Sequence, residues 1–244
     1  MSLFVIADLH LSSNGQKSME VFGPAWKSYM KKIRRNWTAV VGPGDTVVIP
    51  GDISWGLRLA DVLGDFLFLE ELPGKKLLGK GNHDFWWTGV QKMTRFTEDH
   101  GLRSISFLHN NAYLFEGCVV AGSRGWFMEE NTPEAVAQLL DHGKMVNRER
   151  LRLKMSLDEA VRLRQQSGRG ELPILVFMHF PPVWNGFLCR ELIDLMHEYG
   201  VQTCYFGHIH GVSRTPSVTE FEGIRMVLCS ADYLKFAPRP VMLF

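Results

Sequence analysis

Five short polar motifs follow apolar, strand-like segments of the sequence, and they contain the residue types that hold metal ions. The motifs are Asp8-Leu9-His10 after LFVIA, Gly51-Asp52 after TVVIP, Gly81-Asn82-His83-Asp84 after KKLLGK, His179 after ILVFM, and Gly207-His208-Ile209-His210-Gly211 after TCYF. In open α/β sheets, ligands collect outside the carboxyl ends of the strands. We therefore expect the five motifs to meet on one side of the fold.

The donor atoms in these motifs are carboxylate and amide oxygens and imidazole nitrogens, without a thiolate. The donors are Asp8, His10, Asp52, Asn82, His179, His208 and His210. Such donors favour Mn²⁺, Fe or Zn²⁺ in sites with open positions over a closed structural zinc site. Alternate residues of an extended segment point the same way, so both residues of each DxH or HxH pair are expected to face one site. Seven donors suit two ions that share one bridging carboxylate.

Alternating apolar and amphipathic segments predict the elements that position these motifs. Strands are predicted at Leu3–Ala7, Thr46–Pro50, Lys75–Leu78, Ser104–Leu108, Ala112–Phe115, Cys118–Ala121, Ile174–Met178, Thr203–Phe206 and Arg225–Cys229. Helices are predicted at Ala25–Val40, Leu57–Glu70, Thr88–Glu98, Pro133–Asp141, Met145–Gln166 and Phe187–Tyr199. This alternation is typical of an α/β fold with mostly parallel strands. The segment from Ser104 to Ala121 is predicted as an antiparallel meander added to that fold.

The stretch at about 129–170 is predicted as a helical, basic insertion within a single domain that spans residues 1–244. Its basic residues are Lys144, Arg148, Arg150, Arg152, Lys154, Arg162, Arg164, Arg169 and, when protonated, His142. One interpretation is a solvated amphipathic helix with Leu151, Met155 and Leu157 among the residues of its inner face. The other interpretation is a cap that helps to hold an anionic substrate.

The composition is that of a globular protein with balanced charge. The chain has 244 residues, 27 Lys and Arg against 26 Asp and Glu, and 45% apolar residues. This balance gives no overall attraction to nucleic acid or to anionic membranes, and no apolar run approaches the roughly 20 residues that span a bilayer. The start, MSLFVIADLH, lacks the basic segment of a signal peptide, and the four cysteines form no CxxC pair. We therefore expect a cytoplasmic protein with buried, free thiols.

The order DxH, GD, GNHD, H and GHxH, from residue 8 to residue 210, resembles that of the calcineurin-like metallophosphoesterase superfamily. The resemblance implies an α/β fold, a double-layered β-sandwich flanked by helices, with a dinuclear metal centre at the strand ends. It implies that one ion is held by Asp8, His10, Asp52 and His210. It implies that the other ion is held by Asp52, Asn82, His179 and His208, with Asp52 as the bridge. Of Mn, Fe and Zn, we favour Mn as the divalent metal.

The same resemblance implies roles for His83 and Asp84. His83 matches the histidine that contacts the phosphoryl group and helps to protonate the leaving oxygen, and Asp84 matches the acid that orients this histidine. Two divalent ions lower the pKa of a bridging water and stabilise charge on phosphoryl oxygens. We therefore expect metal-activated hydroxide to attack a small phosphorylated substrate, either a phosphomonoester or a phosphodiester.

Two other functions fit the same motifs. One is a nucleotide phosphodiesterase or nuclease, which predicts a basic groove with exposed aromatic residues; the balanced charge argues against it. The other is a non-catalytic scaffold of the same fold, in which the ligands would be eroded, whereas all of them are present here.

Several tryptophans lie in or near the motif loops, and the sequence does not decide whether each one belongs to the core or lines a substrate pocket. Trp86 or Trp87 is expected in the core, because tryptophan is usually largely buried. Trp55 and Trp184 fit either the core or a substrate pocket. Arg124, in a glycine-rich turn, fits either a surface ion pair or a contact with a second phosphate.

Overall fold

Two β-sheets pack face to face in the computed structural model, with helices on their outer faces. The structure describes residues 1–15, 17–128, 133–213 and 215–242, and the side chains of residues 133–142 lie outside this description. The α/β sandwich flanked by helices that the sequence predicts is confirmed.

The first sheet carries the amino-terminal motifs. Its strands are β1 (Leu3–Val5), β2 (Thr46–Pro50), β3 (Lys75–Gly79), β4 (Ile105–Phe107) and β13 (Arg239–Pro240). The spatial order is β13-β1-β2-β3-β4. Strands β1 to β4 are parallel, and β13 runs antiparallel to β1 at the edge. The parallel strands therefore end on the same side, and the loops that leave them meet there.

The second sheet carries the remaining motifs. Its strands are β5 (Ala112–Leu114), β6 (Val119–Ser123), β7 (Ile174–Met178), β10 (Thr203–Phe206), β11 (Val218–Phe221) and β12 (Ile224–Leu228). The order is β11-β12-β10-β7-β6-β5, with antiparallel strands at both edges and parallel strands between them. A separate hairpin, β8 (Val183–Trp184) with β9 (Phe187–Leu188), follows β7.

Five α-helices of the described residues cover the two sheets. They are α1 (Tyr29–Val40), α2 (Leu63–Glu70), α3 (Val90–Asp99), α4 (Pro133–Gln166) and α5 (Arg190–Glu198). Short 3₁₀ helices at Met19–Phe22, Pro24–Trp26 and Leu59–Val62 precede α1 and α2. The predicted helix from Ala25 starts only at Tyr29, because Ser28 has a left-handed backbone with φ 52°.

Side chains of the second sheet alternate between two hydrophobic layers. Phe177 and Tyr205 face the first sheet, where their rings stack with centroids 4.8 Å apart. Val176 and Phe206, their chain neighbours, face away and pack with the buried residues of α4 and α5. This alternation follows from the period of two in a β-strand, and it explains why the central strands read as continuous apolar runs.

The predicted meander from Ser104 to Ala121 is wrong. Strand β4 extends the first sheet parallel to β3, whereas β5 pairs antiparallel with β6 in the second sheet. The chain crosses between the sheets after Phe107, through a turn in which Asn110 has φ 60°. Each strand buries its own apolar side chains, and sequence patterning does not reveal which sheet receives them.

The two helices predicted at Pro133–Asp141 and Met145–Gln166 form one helix, α4. Gly143 lies between the two predicted helices, but a glycine inside a helix costs only about 1 kcal/mol, and α4 packs across β5 and β6. Leu157 is buried as predicted, whereas Leu151 and Met155 are about half exposed, so their predicted inner-face position is wrong. Residues 129–132, where the predicted insertion begins, lie outside the described residues.

Basic side chains of α4 form ion pairs along the helix. Lys154 Nζ lies 2.8 Å from Asp158 Oδ2, and Arg162 Nη2 lies 2.5 Å from Glu159 Oε1. These pairs support the interpretation of a solvated helix face, although the assignment of residues 129–170 as an insertion stays a prediction.

Two expectations about thiols and membranes can be compared with the fold. All four cysteines, at positions 118, 189, 204 and 229, are buried and free, as predicted. Across the described parts of the chain, no helix combines the length and the apolar character needed to cross a membrane.

Candidate metal centre

Five loops at the carboxyl ends of strands bring the predicted metal ligands together. The loops follow β1, β2 and β3 in the first sheet and β7 and β10 in the second. They carry, in chain order, Asp8, His10, Asp52, Asn82, His179, His208 and His210. We call these seven residues the ligand cluster. The first sheet supplies both carboxylates and the amide, and the second sheet supplies three of the four imidazoles.

Asp52 stands between imidazoles of the two sheets. Its Oδ2 atom lies 3.6 Å from Nε2 of His10 and 3.6 Å from Nε2 of His179. Its Oδ1 atom accepts a hydrogen bond of 2.8 Å from the main-chain N–H of His83. One carboxylate oxygen is thus held by the backbone, and the other faces two imidazole nitrogens from different strands.

Other donor atoms lie close together in the same region, and the ring of His208 lies 5.1 Å from the ring of His179. Nε2 of His10 lies 3.3 Å from Nε2 of His210, and Nε2 of His179 lies 2.5 Å from Oδ1 of Asn82. Donor atoms of Asp8, His10 and His210 lie within 4.8 Å of one another, and so do those of Asp8, Asp52 and His179. Asp8 therefore belongs to both groups, whereas the family resemblance assigned it to one ion alone.

Left-handed backbone conformations set the directions of four cluster residues. The φ angles are 59° at Asp8, 45° at His10, 53° at Asp52 and 68° at His208. Non-glycine residues rarely adopt this region, and such strain concentrates at functional sites. The expectation that the DxH and HxH pairs lie on extended segments is wrong: left-handed turns, not strand alternation, aim these side chains. The hydroxyl of Tyr29 donates a hydrogen bond of 2.7 Å to the carbonyl of His10 and holds one of these turns.

Two glycines let the carboxylates lie directly against the backbone. A Cβ atom on Gly81 would come 2.0 Å from Oδ1 of Asp52, and one on Gly207 would come 2.6 Å from Oδ2 of Asp8. Any side chain at either position would push a carboxylate out of the cluster.

The carboxylates of the cluster are buried in surroundings that disfavour their charge. Asp8 and Asp52 are each 1% exposed or less. Burial raises the pKa of Asp8 to about 6, although His210 and main-chain hydrogen bonds oppose it. Burial also raises the pKa of Asp52 well above its usual value, and the neighbouring carboxyls of Asp84 and Asp8 raise it further. A cation placed among them would relieve this cost.

Three of the four imidazoles of the cluster have lowered pKa values, which favours the neutral form that binds metals. Burial, with charge repulsion from other basic groups, lowers the pKa of His208 to about 4 and the pKa values of His10 and His179 well below the usual value. His210 differs: burial lowers its pKa, but the hydrogen bond to Asp232 and the charges of Asp8 and Asp232 together outweigh burial, and the net pKa is raised. A neutral imidazole offers a lone pair to a metal ion.

Two buried nitrogen atoms of the cluster lack a hydrogen-bond partner among the described residues, which is consistent with a site for divalent metal. Nδ1 of His10 and Nδ1 of His179 are buried and have no hydrogen-bond partner among the described residues. Nδ1 of His179 lies 3.4 Å from Oδ1 of Asp8 without a hydrogen bond. Buried polar atoms are normally satisfied within the protein. Together with the oxygen and imidazole donors, these atoms make the cluster suited to divalent ions.

Asp232 contacts the cluster but did not stand out in the sequence. Its Oδ1 atom lies 2.9 Å from Nδ1 of His210, and its Oδ2 accepts from the N–H of Gly211 at 2.9 Å. The contact places the proton of His210 on Nδ1 and turns Nε2 toward His10. Asp232 lies four residues after the end of β12, another parallel strand of the second sheet. Its place after a strand end was the signal that could have identified it.

The hydrogen bonds of Asp84 differ from the contact with the ring of His83 that its expected orienting role requires. Its two carboxylate oxygens accept main-chain N–H groups of Asp52, Ile53, Ser54 and Gly81 and the indole N–H of Trp86. None of the hydrogen bonds found within the described residues joins Asp84 to the ring of His83. The structure therefore shows Asp84 as the residue that ties the second and third motif loops together.

A cavity of about 740 Å³ opens onto the cluster. Its lining includes His83, Trp55, Trp184 and Asn185. Trp55 and Trp184, for which the sequence allowed either the core or a pocket, therefore both line a cavity. Trp86 and Trp87 are buried in the core as expected. The side chain of Arg124 pairs with the buried Glu149 at 3.5 Å, which favours the ion-pair interpretation of this residue.

Comparisons with known proteins agree with the motifs and with the fold. A family model described as calcineurin-like phosphoesterase matches residues 1–212. The fold is similar to that of a phosphopantetheinyl hydrolase from Mycobacterium tuberculosis, with 15% identity, a TM-score of 0.52, and coverage of 100% of this chain and 96% of that chain. It is also similar to a protein of unknown function from Aquifex aeolicus, with 16% identity, a TM-score of 0.50, and coverage of 98% and 95%. No curated protein matches the sequence.

Proposed function

Because the chain belongs to the calcineurin-like phosphoesterase family, whose model covers residues 1–212, we propose that it hydrolyses a small phosphomonoester or phosphodiester at a centre of two divalent ions. Mn²⁺ is the favoured ion. The position of Asp52 carries the proposal, since its Oδ2 atom lies 3.6 Å from one imidazole of each sheet. A carboxylate oxygen placed between two sets of donors is suited to bridge two cations.

In this proposal the ligand cluster divides into two sets that share Asp52, and Asp8, which lies near donors of both, is assigned to the first. The first set is Asp8, His10, Asp52 and His210. The second set is Asp52, Asn82, His179 and His208. The contacts of His10 with His210 and of Asn82 with His179 support this division, because each lies within one set.

Hydrolysis forms a P–O bond to the oxygen of water and breaks the P–O bond to the alcohol, whose oxygen then needs a proton. When bound, divalent ions acidify water toward neutrality and neutralise charge on the phosphoryl oxygens. In this proposal His83 supplies the proton to the alcohol oxygen; burial lowers the pKa of its free ring to about 4, so the bound anionic ester is what would keep the proton on the ring. Its ring is half-buried, lies 5.7 Å from the ring of His10, and lines the cavity that opens onto the cluster. In this role His83 touches the substrate, whereas Asp84 positions the loop that carries it.

The first experiment measures metal content and turnover on one sample of purified protein. The protein is loaded with Mn²⁺, dialysed, analysed for metal, and assayed with p-nitrophenyl phosphate and bis-p-nitrophenyl phosphate. We expect about two ions per chain and turnover of at least one ester. The preferred ester then distinguishes a monoesterase from a diesterase. Folded protein that binds no metal, or binds it without turnover of any ester in a broader panel, would overturn the proposal in favour of a scaffold.

Replacement of His83 tests its role as the proton donor. His83→Ala should retain its metal and lower kcat/KM about a hundredfold for alkyl esters, whose alkoxide leaves poorly without a proton. The loss for p-nitrophenyl esters should be less than about tenfold, since p-nitrophenolate needs little protonation. His100→Ala, at an exposed histidine at the end of α3, is the control. Equal losses on both ester types would contradict the role.

A further inference from the structure

A second cavity lies beside the candidate metal centre, on the other side of Trp55. It has a volume of about 730 Å³ and is lined by Lys17, Trp55, Leu57, Arg58 and Phe85, among other residues. Trp55 also lines the cavity of the ligand cluster. We call the second space the Trp55 cavity. Its volume lies within the range of small-molecule sites, roughly 300–1,000 Å³.

Two rings that line the Trp55 cavity lie next to His83, the residue that the proposed reaction uses as its acid. The ring of His83 lies 4.5 Å from the ring of Trp55 and 6.2 Å from the ring of Phe85. Trp55 also stacks on His10, with centroids 4.8 Å apart and planes at 24°. A proton donor must come within hydrogen-bond reach of the leaving oxygen. An alcohol attached to that oxygen can extend along the side of His83 that these two rings border, toward the Trp55 cavity.

Apolar surface in this cavity is unusually open to solvent. Phe85 is 60% exposed and Leu57 is 68% exposed. They flank Trp55, which is itself only partly buried. Exposed apolar residues that cluster at a cavity favour binding of an apolar group.

The cavity also contains one ammonium group that no acidic side chain neutralises in the part of the chain described. Nζ of Lys17 lies 3.3 Å from the centroid of the Trp55 ring. Arg58, the other lining cation, is paired with Asp61 at 3.1 Å. The lining carboxylate of Asp65 is taken by the N–H of Ser13 and the hydroxyl of Ser54. The charge of Lys17 thus remains available to an anion that lies over Trp55.

We propose that the Trp55 cavity binds the alcohol part of the substrate, and that this alcohol carries an aromatic or bulky aliphatic group next to an anionic group. The apolar group packs on Trp55, Phe85 and Leu57, and the anion pairs with Lys17. The inference rests on the proposed hydrolysis and adds the class of leaving alcohol. Lys17 and Phe85 are then residues that determine specificity.

Three esters with alcohols of similar acidity test the inference. They are propyl, 3-phenylpropyl and 3-(4-carboxyphenyl)propyl phosphate, or their methyl diesters if the protein turns over diesters. We expect kcat/KM to rise about tenfold with the phenyl group and about tenfold again with the carboxylate, since each tenfold step corresponds to one modest contact. Failure to hydrolyse any ester would count against the proposed function. Hydrolysis of all three at equal rates would overturn this inference alone.

Substitutions in the cavity assign the preference to its residues. Lys17→Met should remove the gain from the carboxylate, measured as the ratio of kcat/KM between the carboxylated and the phenyl ester, and Lys17→Arg should restore this ratio. Phe85→Ala should reduce the gain from the phenyl group. Lys92→Met, at an exposed lysine of α3, is the matched control. A loss of equal size on all three esters would show that Lys17 supports only the fold of its loop.

Binding of the product alcohols gives a readout that does not depend on turnover. In protein freed of metal with a chelator, the dissociation constant of 3-(4-carboxyphenyl)propanol is measured by ligand-observed NMR. Lys17→Met should weaken this binding about tenfold and that of 3-phenylpropanol less than about twofold. Equal affinities of the wild-type protein and the variant for the carboxylated alcohol would overturn the inference.

Discussion

Buried polar groups lie near both ends of strand β3, and they differ in whether the surrounding protein completes their hydrogen bonds. At the amino end, Lys76 is fully buried, and its ammonium donates to the carbonyls of Leu72 and Gly74 and to the hydroxyl of Ser104. These three bonds use all three donors of the group. Beyond the carboxyl end, Asn82 joins a cluster in which Nδ1 of His179 is buried without a hydrogen-bond partner among the described residues.

The difference distinguishes a buried charge that serves the fold from a group of buried polar residues that serves a ligand. The surroundings of Lys76 complete its hydrogen bonds, and Lys76 has no left-handed backbone conformation. The ligand cluster has unpaired nitrogens and four left-handed residues. Substitution at the amino end of β3 should therefore change stability, and substitution at the carboxyl end should change metal binding and activity.

The largest effect is expected from Asp52→Asn. The amide has no charge to bridge two cations, so the bound metal should fall and kcat/KM should drop about a thousandfold. In metal-free protein the free energy of unfolding should rise by about 1 kcal/mol, because a disfavoured buried charge is removed. Metal analysis, ester hydrolysis and urea unfolding measure these changes. Asp99→Asn, at an exposed site of α3, is the control. A metal-free variant that is less stable than the wild type would contradict the comparison.

Lys76→Met should have the reverse profile. Removal of the ammonium leaves the carbonyls of Leu72 and Gly74 without their donor, so the free energy of unfolding should fall by about 3 kcal/mol. Metal content and kcat/KM should stay within about twofold of the wild type. Urea unfolding of Lys76→Met is compared with that of Lys75→Met, its exposed neighbour on the same strand. Loss of metal in a folded Lys76→Met protein would show that the two ends are coupled.

The pH dependence of stability gives a smaller effect at the same residue. Burial lowers the pKa of Lys76 to about 8 from 10.5, against the attraction of Glu70. Between these values the unfolded chain binds more protons than the folded chain, so the free energy of unfolding increases as pH rises from about 8 to about 10.5. The expected increase is about 3 kcal/mol, and it is missing in Lys76→Met. The difference between the two proteins is measured by denaturant titrations across this range. A difference that is constant or that falls with pH would contradict the prediction.

Residues at strand ends were predictable from the sequence because topology places them together. The seven predicted ligands meet since parallel strands of both sheets end on one side. Their metal-binding roles remain predictions. Lys76, in contrast, looked like part of an ordinary strand, since a buried ammonium depends on carbonyls that the tertiary structure supplies.

The features that the sequence did not reveal share one physical cause, which is that side-chain contacts across the fold leave no local pattern. Asp84 was expected beside the ring of His83, but it holds main-chain N–H groups of two loops. Lys17 reaches Trp55 from a loop that carries no motif. The predicted meander failed for the same reason, because nothing local in the sequence separates β4 from β5.

Asp232 lies between the two kinds of site and gives the last prediction. It belongs to the candidate metal centre, yet its oxygens are both satisfied, by Nδ1 of His210 and by the N–H of Gly211. Asp232→Asn keeps a hydrogen-bond acceptor but loses the charge that makes His210 a better metal ligand, so metal affinity should fall about tenfold. Competition with a chelator measures the affinity. The free energy of unfolding of the metal-free protein, measured in urea, should change by less than about 1 kcal/mol. Asp194→Asn, on the surface of α5, is the control. If stability falls and affinity does not, Asp232 belongs with Lys76 among the residues that serve the fold, and the ligand cluster ends at His210.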